Sequence, residues 1–348
     1  MTPRESFTNE ARKRVLIFDG AFGTEIQARK LGEADFAGDL GLTHEQKGNN
    51  DILALTRPDI VDEITRTYLS AGSELVSTNT FSSNRISQAD YSAEHLVREI
   101  NLASARIARS AADDFTARDG RPRFVAGTIG PTNKTLSLSP NVEDPGYREI
   151  DFATLADVYR EQAEALVEGG VDFILVETVF DTLNAKAAIY AVKTLERSLQ
   201  RDIPLMLSMT ITDLSGRNLS GHTVEAFWHA VRHARPLAMG LNCSFGAEQL
   251  RPHLQLLSRV SDCLILAYPN AGLPNELGEY DEQPETTAAF LRDWVINGNA
   301  NILGGCCGST PAHIAAIAKA VESMPARTIP ETIHTTRLAG LEPFIMAA

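Results

Sequence analysis

The chain has 348 residues, 43% of them hydrophobic and 22% charged, so it is too apolar for a disordered polymer and long enough to bury a sizeable core. Its 32 basic and 45 acidic residues give a net charge of −13, which argues against nucleic acid or an anionic membrane surface as the main partner, because phosphate binding needs clustered cations. No stretch nears the roughly 18 apolar residues of a membrane span, and residues 1–14 lack the apolar centre of a signal peptide, so a cytoplasmic protein is expected.

Beyond this N-terminal extension, short apolar runs alternate with amphipathic stretches. The runs predict strands over 15–18, 74–78, 124–127, 173–177, 205–210, 238–242, 264–268 and 302–305. Between and after them, helical spacing predicts helices over 60–71, 93–112, 154–168, 185–199, 224–233, 248–260, 286–296 and 312–321. Eight such pairs predict an α/β protein, a single-domain (β/α)8 TIM barrel over residues 15–325. A doubly wound sheet, and with it a dinucleotide-dependent oxidoreductase, is the alternative. The turn after the first strand, Asp19-Gly20-Ala21-Phe22-Gly23-Thr24, lacks the G-x-G-x-x-G fingerprint that alternative needs. Two long segments, 31–55 and 131–150, follow strand C-termini, where barrels build their active sites. The tail, 326–348, has no periodicity and is expected to be an irregular linker or docking arm.

The four cysteines carry most of the chemical information. Cys243 closes the sixth strand, and Cys306 with Cys307 closes the eighth in Gly304-Gly305-Cys306-Cys307-Gly308. Strand C-termini share one barrel mouth, so these three can meet despite their sequence separation. Cys263 opens the seventh strand at the opposite end and is expected to be a small packing residue. Neighbouring cysteines on a regular strand point to opposite faces, so the flanking glycines are expected to let the backbone turn both sulfurs inward. Three thiolates with one open position describe a zinc site that admits a substrate. Such a complex already carries net negative charge and is a poor activator of water. A thiol bound there loses its proton near neutral pH and stays nucleophilic, which suits alkylation of a thiol. The competing readings are cysteines that merely pack and a redox-active vicinal pair.

At these residues the sequence resembles the zinc-dependent homocysteine S-methyltransferase family. The likeness rests on Gly304-Gly305-Cys306-Cys307-Gly308, Asn242-Cys243 and Phe18-Asp19-Gly20-Ala21-Phe22-Gly23-Thr24. It extends to Asn49-Asn50-Asp51, Leu55-Thr56-Arg57-Pro58, Thr78-Asn79-Thr80-Phe81, Gly130-Pro131-Thr132 and Glu177-Thr178. Within the family the sequence is most similar to the homocysteine-binding module of cobalamin-dependent methionine synthase. The tail segment Leu338-Ala339-Gly340-Leu341-Glu342-Pro343 resembles the lead-in to that enzyme's folate module.

The resemblance implies Zn²⁺ on Cys243, Cys306 and Cys307 and methyl transfer to L-homocysteine. It implies that Asp19 and Glu177 take the substrate ammonium and that backbone amides around Gly20 and Ala21 hold its carboxylate. Thr78 and Asn79 would line the pocket, and the side-chain oxygen of Asn270 would fill the open metal position before substrate arrives. Each residue also has a plainer role: Asp19 as a helix cap, Thr78 and Asn79 as turn formers. The family's donors include methylcobalamin, betaine and S-methylmethionine. None of the eight histidines sits in a D-x-H-x-x-G pattern, so methylcobalamin is expected to be presented by another domain or chain, a cobalamin- and folate-binding methionine synthase module. A barrel that only binds zinc and homocysteine, without turnover, is the non-enzymatic alternative.

Overall fold

The computed structural model describes residues 2–331 and 335–346; Met1 of the expected N-terminal extension, and 332–334 and 347–348 of the expected tail, lie outside the described residues. Among the described residues, eight parallel strands form one sheet in the order β1-β8-β7-β6-β5-β4-β3-β2. They are β1 (Leu16–Ile17), β2 (Leu75–Ser77), β3 (Phe124–Ile129), β4 (Phe173–Val179), β5 (Leu205–Met209), β6 (Ala238–Gly246), β7 (Leu264–Asn270) and β8 (Ile302–Leu303). A parallel bridge between Phe18 and Leu75, with a 2.8 Å hydrogen bond from the Glu74 amide to the Ile17 carbonyl, brings the first and second strands together and closes the ring. The eight expected helices surround it, with bounds moved by a few residues. One begins at Pro58 and another at Pro284, where the missing N–H and fixed φ of proline suit a first turn.

Strand alternation sorts the core into two layers. One set of side chains, including Phe18, Phe124, Phe173, Leu175, Met206, Leu266 and Tyr268, fills the barrel interior. The other, including Ile17, Val76, Val125, Ile174, Leu207, Met239 and Ile265, packs against the helices. No helix among the described residues is long and apolar enough to cross a membrane.

Two departures from the sequence reading lie at the chain's ends. Residues of the N-terminal extension form a helix, α1 (Pro3–Lys13), opened by a capping box in which Thr2 and Glu5 exchange side-chain-to-backbone hydrogen bonds. Its only buried residues are Phe7 and Ala11, one helical turn apart on one face. Phe7 meets Phe124 and Phe173 edge-on at 5.0 and 4.8 Å, at the first residues of β3 and β4. The helix therefore plugs the barrel at the end opposite the strand C-termini. The tail, expected to be irregular, carries an antiparallel hairpin of β9 (Arg337–Ala339) and β10 (Pro343–Ile345). The hairpin docks beside the helix Val224–Val231 through a hydrogen bond from the Thr223 amide to the Leu341 carbonyl and an ion pair between Arg217 and Glu342. Its docking is a tertiary contact, which periodicity does not record.

Candidate active site at the barrel mouth

The C-terminal ends of β1, β2, β4, β6, β7 and β8 carry the expected site residues, and two of these strands, β4 and β6, leave regular pairing to do so. The register of β4 against β5 shifts between Val176 and Val179, and that of β6 against β7 shifts between Asn242 and Gly246. Inside these bulges Thr178, Cys243 and Ser244 have φ of +54°, +60° and +60°. A β-branched threonine in that region is strained by about 1–3 kcal/mol, a cost found where surrounding structure holds a functional geometry in place. The bulges re-aim Glu177 and Cys243.

After β8 the backbone turns rather than continuing as a strand, as the paired cysteines require. Of the flanking glycines only Gly308 has a positive φ, +79°. Gly305 serves a different need, since a Cβ there would come within 2.3 Å of the Ser309 hydroxyl oxygen. The expectation that all three glycines supply turning freedom is thus corrected: close packing is the reason at Gly304 and Gly305.

The sulfurs of Cys243, Cys306 and Cys307 all lie within 4.8 Å of one another. The Cys243 and Cys307 sulfurs are 3.8 Å apart. Two thiolates bound at about 2.3 Å to a tetrahedral zinc ion stand roughly 3.8 Å apart, so this spacing fits that ion. Hydrogen bonds from Cys243 and Cys306 hold the Cys307 thiol far down, at about 3. The Cys306 thiol is pushed well up by its hydrogen bonds with Cys243 and Cys307 and by burial. At Cys243 a hydrogen bond with Cys306 acts downward, but one with Cys307 and burial leave it at about 12. One thiolate is thus stabilised by the other two protons, and a cation ligated by all three would release those protons.

Asn270 supplies a second sign of a cation. Its side chain is buried, and its Oδ1 has no hydrogen-bond partner. An orphaned buried carbonyl costs about 1–3 kcal/mol and calls for a ligand. The neighbouring backbone is laced to the cysteines: the Cys306 amide donates to the Pro269 carbonyl at 2.8 Å, and the Ala271 amide to the Cys307 carbonyl at 2.9 Å. Cys263 lies at the start of β7, away from this cluster, where burial pushes its thiol up to about 12.

The carboxylates form the second half of the site. Asp19 is 1% exposed, and its Oδ2 accepts from the Ser77 amide at 2.7 Å and the Ser77 hydroxyl at 2.8 Å. It does not cap the following helix, α2 (Phe22–Ala28), whose N-cap is Ala21 with no side-chain bond. Burial raises Asp19 to about 7 against the lowering effect of Ser77. Glu177 is raised to about 8, first by burial, then by the Asp19 and Cys307 charges, with the Tyr268 hydroxyl acting downward. Two buried carboxyl groups, both raised first by burial and one of them further by the charge of the other, suit an ammonium. Gly20 leads into α2 under Tyr68, whose ring would lie 2.8 Å from a Cβ at that position.

Thr78 and Asn79 are buried at the end of β2 but are engaged within the protein. The Thr78 hydroxyl accepts from the Thr128 amide at 3.0 Å and shares a 2.6 Å bond with the Thr80 hydroxyl. The Asn79 side chain donates to the Asn50 carbonyl at 2.8 Å, holding the segment after β1. Three further residues belong to the site. Tyr268 donates to Glu177, Tyr280 acts downward on the Cys307 thiol, and Asn242 bonds to Thr178. Tyr268 lay hidden in an apolar run and Tyr280 in a loop, while Asn242 stood in the quoted Asn-Cys pair without a role of its own.

The homocysteine S-methyltransferase family matches residues 16–321. The homocysteine methyltransferase MmuM from Escherichia coli, in its metallated form, superposes with a TM-score of 0.71 at 23% identity, covering 91% of this chain and 99% of that one. Its oxidised form gives 0.71 at 21% identity, with 92% and 99% covered, and its apo form 0.65 at 22%, with 92% and 100% covered. At these identities the superpositions speak for the shared barrel, and the match over residues 16–321 speaks for descent: the protein belongs to the homocysteine S-methyltransferase family.

Proposed function

We propose that the protein transfers a methyl group to the sulfur of L-homocysteine, giving L-methionine, with methylcobalamin presented by another domain or chain as the donor. The observation that carries this reading is the three-thiol cluster, joined by backbone hydrogen bonds to the strand end that bears the orphaned Asn270 oxygen, at the same barrel mouth as two carboxyl groups of raised pKa. Cys243, Cys306 and Cys307 would hold zinc, with Asn270 the residue to occupy the remaining position until substrate enters. Zinc supplies a Lewis acid that keeps a substrate thiol ionised at neutral pH while leaving it nucleophilic.

The chain's own residues place the substrate. Asp19, held by Ser77, and Glu177, held by Tyr268, receive the ammonium, whose charge lowers both carboxyl groups toward their ordinary range. Backbone amides at Gly20 and Ala21 take the carboxylate. These contacts fix the amino-acid end, so the sulfur faces the open mouth where a donor methyl can be attacked in line. A second reading, the same transfer from a small donor, betaine or S-methylmethionine, is favoured by a sequence in which none of the eight histidines sits in a D-x-H-x-x-G pattern.

The test is methionine formation from homocysteine with each donor, before and after chelation and with zinc restored. Methionine from methylcobalamin, lost on chelation and regained with zinc, is the expected result. Turnover with a small donor but not with methylcobalamin assigns the second reading. Absence of homocysteine binding to the zinc-loaded protein overturns both.

A further inference from the structure

The side chain of Asn242 connects the two strained bulges of the site. It is fully buried on β6, one residue before Cys243. Its Oδ1 accepts from the Thr178 amide at 3.1 Å and from the Ser208 hydroxyl of β5 at 2.6 Å. Its Nδ2 donates to the Thr178 hydroxyl at 2.8 Å. One amide thus spans from β6 across β5 to the bulge of β4, and grips both the backbone and the side chain of a threonine at φ +54°. In the register of the sheet Asn242 also stands opposite Tyr268, which donates to Glu177.

Left-handed backbone at a β-branched residue relaxes unless something holds it. Asn242 makes two of its hydrogen bonds to Thr178 itself, and Thr178 directly follows Glu177 in the chain. On the other side Asn242 directly precedes Cys243, whose own φ is +60°. Displacement of this amide would therefore move the carboxylate and the thiol together.

We infer that Asn242 is a positioning residue that locks the Glu177 bulge to the Cys243 bulge, so that the amino-acid pocket and the metal centre are held at one fixed separation. This rests on the function proposed above. The Asn242–Thr178 pair would then set how strongly the site prefers a thiol carrying an amino-acid group over a plain thiol, because both ends must fit at once.

The experiment uses the full chain loaded with zinc and compares binding of homocysteine with binding of propanethiol, by calorimetry, alongside zinc affinity from chelator competition. For wild type, homocysteine binds the more tightly. In Asn242→Ala the homocysteine-to-propanethiol preference and the zinc affinity both fall by roughly 10- to 100-fold, the range of losses seen when a supporting partner is removed. Thr178→Val keeps the shape of the side chain and removes only the hydroxyl, so the preference falls while zinc affinity stays within about twofold; Thr178→Ser restores it. A purely structural role would weaken both ligands alike and leave the preference unchanged. An unchanged preference in Thr178→Val overturns the inference, and this variant decides the matter if Asn242→Ala does not fold. Absence of homocysteine binding by wild type would instead overturn the proposed function on which the inference rests.

Discussion

The hydroxyl of Tyr268 donates a 2.9 Å hydrogen bond to Oε2 of Glu177, tying the end of β7 to the end of β4 across the barrel mouth. This bond acts downward on a carboxyl group that burial has raised to about 8. Tyr268→Phe removes it with little change of volume, since the ring stays packed edge-on against Phe18 at 5.1 Å. Glu177 should then titrate higher still, so the acidic limb of homocysteine binding moves to higher pH. Affinity near neutrality should fall about tenfold, with zinc affinity retained. Titration calorimetry across pH reads both, and an unshifted limb would contradict the assigned partnership.

Asp19 and Glu177 also make the ligand-free fold sensitive to pH. A carboxyl group raised by burial costs nothing where it is protonated both folded and unfolded, below about pH 4. The cost grows as pH rises toward the folded values of about 7 for Asp19 and 8 for Glu177 and is then constant. Asp19→Asn removes one such penalty. Its Tm advantage over wild type should widen between pH 5 and 8 in the zinc-loaded, substrate-free protein, while homocysteine binding is lost. A difference independent of pH would show that Asp19 is not raised.

The metal assignment divides the cysteines three to one. Cys243→Ser, Cys306→Ser and Cys307→Ser should each lose more zinc affinity than the roughly 10- to 100-fold expected of a supporting residue. Cys263→Ser, altered far from the cluster, should retain the wild-type metal content. Zinc analysis after gel filtration against a chelator distinguishes these, and full retention by any of the first three would remove that residue from the ligand set.

Two glycines of one motif should fail for different reasons. Gly305→Ala meets the side chain of Ser309, so Ser309→Gly should rescue much of its lost stability. Gly308→Ala combines a φ of +79° with a Cβ placed 2.3 Å from that of Tyr280. Its cost should be about 2 kcal/mol or more, and trimming Tyr280 should recover only part of it. Urea unfolding of the single and double variants gives the comparison.

At the other end of the barrel, Phe7→Ala should destabilise by about 3–5 kcal/mol, because the side chain is fully buried against Phe124 and Phe173. Homocysteine affinity of the folded fraction should be unchanged. A loss below about 1 kcal/mol would mean that α1 is not an integral plug.

Much of the architecture is local in origin and could be read from the chain. The apolar runs and amphipathic stretches predicted all eight strands, with Phe124, Phe173, Leu205, Ala238, Leu264 and Ile302 each starting where the run does. The cysteines were equally legible, because strand C-termini share a mouth whatever the intervening loops contain. The capping signature of Thr2-Pro3-Arg4-Glu5 was also present, yet a helix burying only Phe7 and Ala11 has too narrow an apolar face to announce itself.

What tertiary structure alone decided is where regularity breaks. Composition and spacing do not show that Thr178 and Cys243 take left-handed backbone, because residues of neither kind prefer it. Bonds made across strands hold the site: Asn242 grips the left-handed Thr178, while Tyr268 and Ser77 fix the carboxyl groups of Glu177 and Asp19. Periodicity reports which face of an element is buried. It carries no information about a hydrogen bond between residues 64 positions apart, such as that joining Thr178 and Asn242, and such bonds set the separation of thiols and carboxylates.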